Sequence, residues 1–423
     1  MQVADLALQR SKYKHLTDEQ WRWFLQQVEG RERTADKLPT FAAIEDWWYP
    51  VRLSCEQCSS ELTARYKAHI IESSNLPILQ SSNHKCLDLT GGYGVDTFFL
   101  SELFEETDYV EQNAELCRIA EHNKEIKNEK LKINNISIHN CTAEEFLSND
   151  RLCPATTIDQ YDLIFLDPAR RDSHGGKVFR LGDCTPNVVE LMPDLVAHLT
   201  PEGRIMLKLS PMIDLTQAIK ELQTPPNLPS REEIKWDIHV VAVKNEVKEV
   251  LLLSHQKSDV STQTITAIDL DKKEQAFVFT REEEKAATVS FVPCTLSPCT
   301  LSHSLVPCTL SPCTFLFEPN AAILKGGAYK LVSERFGLQK LDVNTHLYVS
   351  DKLVEDFPGR VWKTSPLPSP KERVISQANV IVRNYPLTAE QLKKKLHLRD
   401  GGTAYVIGCR VNGKPVLFSA ERV

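Results

Sequence analysis

Between residues 85 and 209, short apolar runs alternate with longer stretches whose apolar residues recur at helical spacing. Cys86–Leu89, Asp108–Val110, Ile136–His139, Leu163–Leu166 and Arg204–Lys208 predict strands. Val95–Phe104, Ala114–Lys127, Glu144–Leu147, Asn187–Leu199 and Leu215–Leu222 predict the helices among and after them. That alternation builds βαβ units and a mostly parallel sheet. Trp236–Val243 and Val247–Ser254 follow, separated only by Lys244-Asn245-Glu246. So short a link permits only an antiparallel hairpin. The expectation is an α/β, Rossmann-like sheet whose far end is antiparallel.

The flanks read differently. Residues 1–80 predict helices: Thr17 caps a stretch opening Asp18-Glu19-Gln20-Trp21, and a second helix is expected from Cys55 to Glu72. Toward the other end, Asn379–Arg383, Thr388–His397, Ala404–Cys409 and Pro415–Ser419 predict a β-α-β-β string, half of a ferredoxin-like module. Between these regions Val-Pro-Cys-Thr-Leu-Ser-Pro-Cys-Thr occurs at Val292–Thr300 and again at Val306–Thr314. Proline this frequent prevents helix and central strand. Cys294, Cys299, Cys308 and Cys313 are evenly spaced because the insert is duplicated, and no histidine-bearing fold surrounds them to make a zinc site. Cys55-x-x-Cys58 lacks a second ligand pair, so no metal is expected there either.

Composition narrows the class. With 423 residues, 42% hydrophobic and 25% charged, the chain is expected to form two or three globular domains. No apolar run approaches the ~20 residues of a membrane span, and Met1–Asp5 does not open a signal peptide. A cytoplasmic location is expected, with no membrane partner. The net charge of −7 excludes a non-specific nucleic-acid coat but not a local basic surface such as Lys393-Lys394-Lys395 with Arg399. A solvated helix face would carry the same lysines.

Two segments carry candidate chemistry. Leu87-Asp88-Leu89-Thr90-Gly91-Gly92-Tyr93-Gly94 follows the first strand and opens a helix. Its glycines permit a tight turn and bring backbone N–H groups near a ligand. A dinucleotide fingerprint counted from Gly92 needs a third glycine where Thr97 stands. Aspartate followed by glycines at the fourth and sixth positions instead fits an S-adenosylmethionine loop, although an ordinary strand-to-helix turn would share the pattern. Glu111 ends the second strand 23 residues after Asp88, placed to accept both ribose hydroxyls. After the third strand, Thr142 stands where an acid is expected near adenine, leaving that contact to backbone or Glu144.

The second segment is Tyr161–Arg171, whose apolar strand ends in Asp167-Pro168-Ala169-Arg170-Arg171. Enzymes that methylate exocyclic amines carry Asp/Asn-Pro-Pro-aromatic at this edge. The delocalised lone pair of a base amine is a poor nucleophile. A carboxylate and the proline carbonyl can hold its hydrogens and aim the lone pair at a methyl carbon. Here Ala169 and Arg170 replace the second proline and the aromatic, and an arginine plane can stack on a base or grip phosphate. An Asp-Pro turn followed by solvated arginines is the plain structural alternative.

Taken together, the chain resembles the Bacteroidetes class I methyltransferases with a THUMP-like C-terminal domain. The landmarks are Asp88–Gly94, Asp167–Arg171, Lys208–Met212, Lys248-Glu249, Phe317–Asn320, Phe357–Arg360 and Arg383–Pro386, and they span nearly the whole chain except the Cys-Pro insert. The resemblance implies a helical region over 1–80, a methyltransferase core over 81–255, connecting strands over 256–290 and the repeat insert over 291–314. It further implies a THUMP-like domain over 315–372 and a ferredoxin-like module over 373–423, both small α+β domains. It also implies S-adenosylmethionine as cofactor, held by Asp88, Thr90, Gly92, Gly94, Glu111, Thr142 and Ala143. Asp167, Pro168 and Arg170 are the expected catalytic residues, and Arg171 and Lys208 the substrate contacts. Gln57, Ser60 and Lys67 would share one face of the Cys55–Glu72 helix toward the methionine end of the cofactor, with a plain amphipathic surface helix as the equal alternative. Ribosomal or transfer RNA is the expected substrate, and the loop is also similar to that of enzymes methylating guanine N2. A protein or small-molecule methyltransferase on the same core, or a non-catalytic RNA-binding protein, are the alternatives.

Overall fold

The structure is a computed structural model that describes residues 6–73, 84–126, 135–152, 159–169, 180–223, 234–255, 261–270, 275–293, 315–365 and 375–423. Arg170, Arg171 and the Cys-Pro repeat from 294 to 314 lie outside the described residues. The chain forms two compact units, Met1–Ile238 with Glu249–Ser261, and His239–Lys248 with Thr262–Val423.

In the first unit the expected strands form, as β1 (Lys85–Asp88), β2 (Glu106–Val110), β3 (Ile136–His139), β4 (Tyr161–Leu166) and β5 (Leu199–Leu209). They lie side by side in the order β3-β2-β1-β4-β5, all parallel. Every residue of central β4 is buried, as a strand covered on both faces requires. β6 (Trp236–Val243) and β7 (Glu246–Ser254) follow, and β7 runs antiparallel to β5. Their link is shorter than expected, because Lys244 and Asn245 both adopt positive φ and close a two-residue turn. The chain leaves β1 for β2 on one side and returns through β4 on the other. The crevice at that reversal, outside the carboxyl ends of the strands, is where ligands bind in such sheets.

The N-terminal helices share the core of this sheet. Thr17 and Gln20 exchange hydrogen bonds in a capping box that starts the helix Asp18–Thr34. The expected helix from Cys55 to Glu72 is in fact two, Arg52–Gln57 and Glu61–Ser73. Cys58 turns extended, and the Ser60 hydroxyl accepts the Thr63 N–H, so a local side-chain bond starts a new helix. Gln57, Ser60 and Lys67 therefore do not share one helical face. Phe41 stacks on Phe99 with ring centroids 5.8 Å apart, and Trp47 donates to the Tyr93 hydroxyl at 3.0 Å. The Val95–Ser101 helix, packed among these aromatics, is buried at every residue.

The second unit contains the antiparallel pair β8 (Ile265–Asp269) and β9 (Gln275–Phe279) and an eight-stranded sheet. The strands of that sheet are β10 (Ser290–Phe291), β11 (Phe315–Pro319), β12 (Gln339–Asp342), β13 (Thr345–Ser350), β14 (Gly359–Ser365), β15 (Asn379–Arg383), β16 (Ala404–Val411) and β17 (Lys414–Arg422). Their order is β10-β12-β13-β11-β14-β17-β16-β15. The expected β-α-β-β string is present: β15 pairs parallel with β16, β16 antiparallel with β17, and the helix Ala389–Leu396 is capped by Thr388. The landmark segments converge on Glu318. It is 3% exposed, accepts from Arg383 Nε at 2.5 Å and faces Arg360 at 3.6 Å. Gly359 passes so close that a Cβ there would sit 2.1 Å from the Glu318 carbonyl oxygen.

One glycine of the β1 turn is demanded by packing. A Cβ on Gly91 would lie 2.2 Å from the ring of fully buried Tyr109, whose hydroxyl is fastened to the Gly92 carbonyl at 2.6 Å. Gly91→Ala is expected to lower stability by ~1–3 kcal/mol through overpacking, read as a shift in the denaturant midpoint. Gly92 has φ +56° and no neighbour within 3.4 Å of its would-be Cβ, its nearest being 3.7 Å away. Gly92→Ala should cost only the ~1–2 kcal/mol of a left-handed residue. A Gly91→Ala variant as stable as wild type would mean that Tyr109 moves aside freely.

Candidate active site

Every described candidate residue from the expected core sits at the carboxyl edge of the sheet, at or beside a strand end. Asp88 ends β1, Glu111 follows β2, Thr142 and Ala143 follow β3, and Asp167 and Pro168 follow β4. Lys208 is the penultimate residue of β5.

The β1 turn is held by two carboxylates and by the backbone of a third acid. Asp88 is 1% exposed and accepts from Thr90 N at 3.0 Å and from Thr97 Oγ1 at 2.5 Å. Thr97, standing where a dinucleotide loop has glycine, thus braces the aspartate. Burial pushes the Asp88 carboxyl up to about 7, against the pull of the Thr97 and Thr90 hydrogen bonds. Glu111 accepts from Gly92 N at 2.9 Å and from Asn113 N at 2.7 Å, which fixes its carboxylate beside the loop. Asp167 reaches the same turn by its backbone, its N–H donating to Thr90 Oγ1 at 2.6 Å. Thr142 spends its hydroxyl on the Glu145 N–H, 3.1 Å away, in a capping box with Glu145 at the start of the helix Ala143–Leu152. Its departure from the expected acid is thereby explained as a helix cap.

Behind Asp167 lies a buried ionic cluster. Lys208 Nζ pairs with Asp167 Oδ2 at 2.5 Å and with Asp96 Oδ2 at 3.5 Å. Asp96 also faces Lys67 Nζ at 3.1 Å and accepts from Ser59 Oγ at 2.6 Å. Lys67 is wholly buried and pairs with Glu249 of β7 at 2.6 Å. Burial alone would raise the Asp96 carboxyl, but Lys67 and Lys208 outweigh it and hold it below its usual range. Burial raises Glu249 despite the same two lysines. Burial would strip the proton from Lys208, yet Asp167, Asp96 and Glu249 together hold it well above its ordinary value. Asp167 is the outward member, with its side chain 40% exposed.

The sequence pattern put Lys67 on a helix face turned toward the cofactor or toward solvent and left Asp96 without a role. The signals were lone charges in apolar stripes. Lys67 falls on the stripe of Ala64, Ile70 and Ile71, Lys208 within Ile205–Leu209, and Glu249 ahead of Val250–Leu253. In the second unit, Lys393 of the expected basic surface pairs with Asp400 at 2.7 Å and Glu390 at 3.1 Å.

Comparisons with known proteins agree with this architecture. Residues 315–358 match a ferredoxin-like domain model and residues 370–422 a THUMP domain-like model. The two descriptions fall in the reverse of the order expected above. The crystal structure of a provisionally named methyltransferase from Porphyromonas gingivalis W83 is 29% identical. It aligns over 96% of this chain and 92% of its own, with a TM-score of 0.73. The chain has a class I methyltransferase fold. The ferredoxin-like and THUMP-like domains follow the methyltransferase domain in the sequence. More distant are an S-adenosylmethionine-dependent methyltransferase from Agrobacterium tumefaciens (15% identity, 45% of this chain and 62% of that one, TM-score 0.31) and human methyltransferase-like protein 13 in complex with S-adenosylhomocysteine (16%, 48% and 86%, 0.33). No curated protein matches significantly.

The elevated Asp88 value has a sign that can be tested. An unfolded aspartate titrates near ~4, so the native state of the methyltransferase domain binds this proton more tightly. Its contribution to stability is full below pH ~4 and is lost as pH rises through about 7. Asp88→Asn should therefore gain on wild type as pH rises from 4 to 8, by on the order of a few kcal/mol. Denaturant midpoints across that range measure it. Parallel stability curves for the two proteins would contradict the assignment.

Proposed function

We propose that the chain is a cytoplasmic S-adenosylmethionine-dependent methyltransferase that modifies an exocyclic base amine in RNA, with guanine N2-type chemistry favoured. The observation that carries this reading is the joint between Asp167 and the glycine turn. The Asp167 N–H rests on Thr90, one oxygen of its carboxylate is taken by Lys208, and the carboxylate remains open to solvent. A group that must accept a substrate N–H beside a bound cofactor needs this combination of anchoring and access.

The residues suit the cofactor. Gly92 turns at positive φ with nothing nearer than 3.7 Å to its would-be Cβ, and Glu111 is oriented there by two N–H groups. In this reading Glu111 accepts the ribose hydroxyls, while Gly92, Gly94, Thr142 and Ala143 line the pocket. Asp88 shapes the turn through Thr90 and Thr97. The bound cofactor supplies a methyl group on a positively charged sulfur. Asp167 and the Pro168 carbonyl hold the two amine hydrogens, so that the lone pair points at the donor carbon. The carboxylate offsets the positive charge that grows on nitrogen during transfer. Lys208 occupies one carboxylate oxygen and leaves the other to the amine. Arg170 and Arg171 follow directly in sequence and are assigned to the base or its phosphates.

RNA as the substrate class rests on the THUMP-like match over residues 370–422 and on the amine-holding geometry. The test is single-turnover methylation of RNA from cells lacking the enzyme, with the product nucleoside identified by mass spectrometry. Wild type should yield N2-methylguanosine. Asp167→Ala should lower the rate by about 10²–10³-fold at unchanged cofactor affinity. Transfer by Asp167→Ala at the wild-type rate would remove the proposed mechanism, and a methylated protein in place of RNA would favour the alternative substrate class.

A further inference from the structure

We infer that Lys67, on the N-terminal helix Glu61–Ser73, is a positioning residue for the transfer step, and that it acts by leaving Lys208 free to hold Asp167. The inference rests on the amine-holding role of Asp167 proposed above. It concerns a residue that, wholly buried, touches neither cofactor nor substrate in that reading.

Two lysines, Lys67 and Lys208, face three carboxylates, Asp96, Glu249 and Asp167. Asp96 and Glu249 are 8% and 3% exposed, whereas the Asp167 side chain is 40% exposed. A buried carboxylate without a cation is far costlier than one that water can reach. Lys67 lies 3.1 Å from Asp96 and 2.6 Å from Glu249, neutralising both inner acids as ion pairs from one side while its ammonium donates to Ser59 Oγ and the Thr63 carbonyl. Lys208 can then lean outward, to 2.5 Å from Asp167 and 3.5 Å from Asp96. Remove Lys67, and Lys208 becomes the only lysine of the cluster. Asp96 is within an ångström or so of claiming it, and water can take over the solvation of Asp167. The carboxylate would then keep its charge but lose its orientation.

Ser59 reinforces the arrangement from the same N-terminal region. Its hydroxyl donates to Asp96 Oδ2, the oxygen that Lys208 faces, and so reduces the pull of Asp96 on Lys208. The segment ahead of the sheet thus supplies the donors that fill the inner acid, and β5 carries the lysine that serves the outer one.

The position of Lys208 tests this without any cofactor. In crystals of Lys67→Met, Lys208 Nζ should leave Asp167 and sit within hydrogen-bonding distance of Asp96. Its remaining on Asp167 would overturn the inference. Kinetically, Lys67→Met should lose about tenfold in kcat, the scale of a lost orienting contact, with the KM for cofactor unchanged. The added variant Lys67→Met/Asp96→Asn removes the inner acid that faces Lys208 and leaves only Glu249, which burial favours in its neutral form, so Lys208 should return to Asp167 and most of kcat be recovered. A merely structural role predicts the opposite, a double variant slower or less stable than the single. Should Lys67→Met prove too unstable to isolate, Ser59→Ala tests the same sign, with kcat falling about threefold and an unchanged kcat counting against the inference. Failure of the underlying reading is separate: it would show as wild-type transfer by Asp167→Ala, whatever Lys208 does in the crystals.

Discussion

Asp96 cannot stand alone under the carboxyl edge of the sheet. It sits on the first helix after the glycine turn, buried, and its charge is sustained by Lys67, Lys208 and Ser59. Much of the site follows from satisfying it. Lys67 brings in the Glu61–Ser73 helix and Glu249 of β7, while Lys208 brings in β5 and, through it, Asp167. Four separate segments of the first unit are tied together by these buried charges, and Asp167 is the solvent-facing end of the cluster. Removing one partner from such a cluster leaves an uncompensated buried charge, typically a loss of ~3–5 kcal/mol.

The same constraint explains why the N-terminal helices belong to the methyltransferase domain and are not a loose appendage. Their aromatic residues Phe41, Trp47 and Tyr49 share one core with Tyr93, Phe98 and Phe99 around the glycine turn. Apolar packing gives that contact its area, and the Lys67–Asp96 pair gives it direction, since a buried ion pair has few alternative geometries. The turn is consequently held from below by Thr97 and Asp88, from the side by Glu111 and Tyr109, and from beyond β4 by the backbone of Asp167.

Much of the fold was legible from the chain. The five parallel strands, the hairpin and the β-α-β-β string announce themselves because periodicity is a local property, and β1 to β5 lie where the apolar runs lie. The glycine turn and Asp167 were legible because their chemistry is written in consecutive residues. What was not legible depends on partners far apart in sequence. Lys67 and Glu249 are separated by most of the first unit, and nothing near either names the other. The Cys55–Glu72 stretch read as one helix because its periodicity survives the break. Only the competition between the Ser60 hydroxyl and the helix backbone reveals two. Thr142 was read as a missing acid, and its true employment as a cap lies in its bond to Glu145, three residues on. The ferredoxin-like and THUMP-like descriptions were expected in the wrong order, because both modules are short α+β strings with similar local patterns.

In the proposed reading this turn takes a methionine-derived nucleoside and not a dinucleotide. Thr97 carries that distinction: it occupies the place of the third glycine and is bonded to Asp88, so the close helix-to-strand approach of a dinucleotide loop is filled. Isothermal calorimetry on the purified protein measures it most directly. The expected result is one-to-one binding of S-adenosylmethionine and S-adenosylhomocysteine, weakened in Glu111→Gln, with no heat from NAD. Tight binding of NAD with none of either methionine-derived ligand would contradict it.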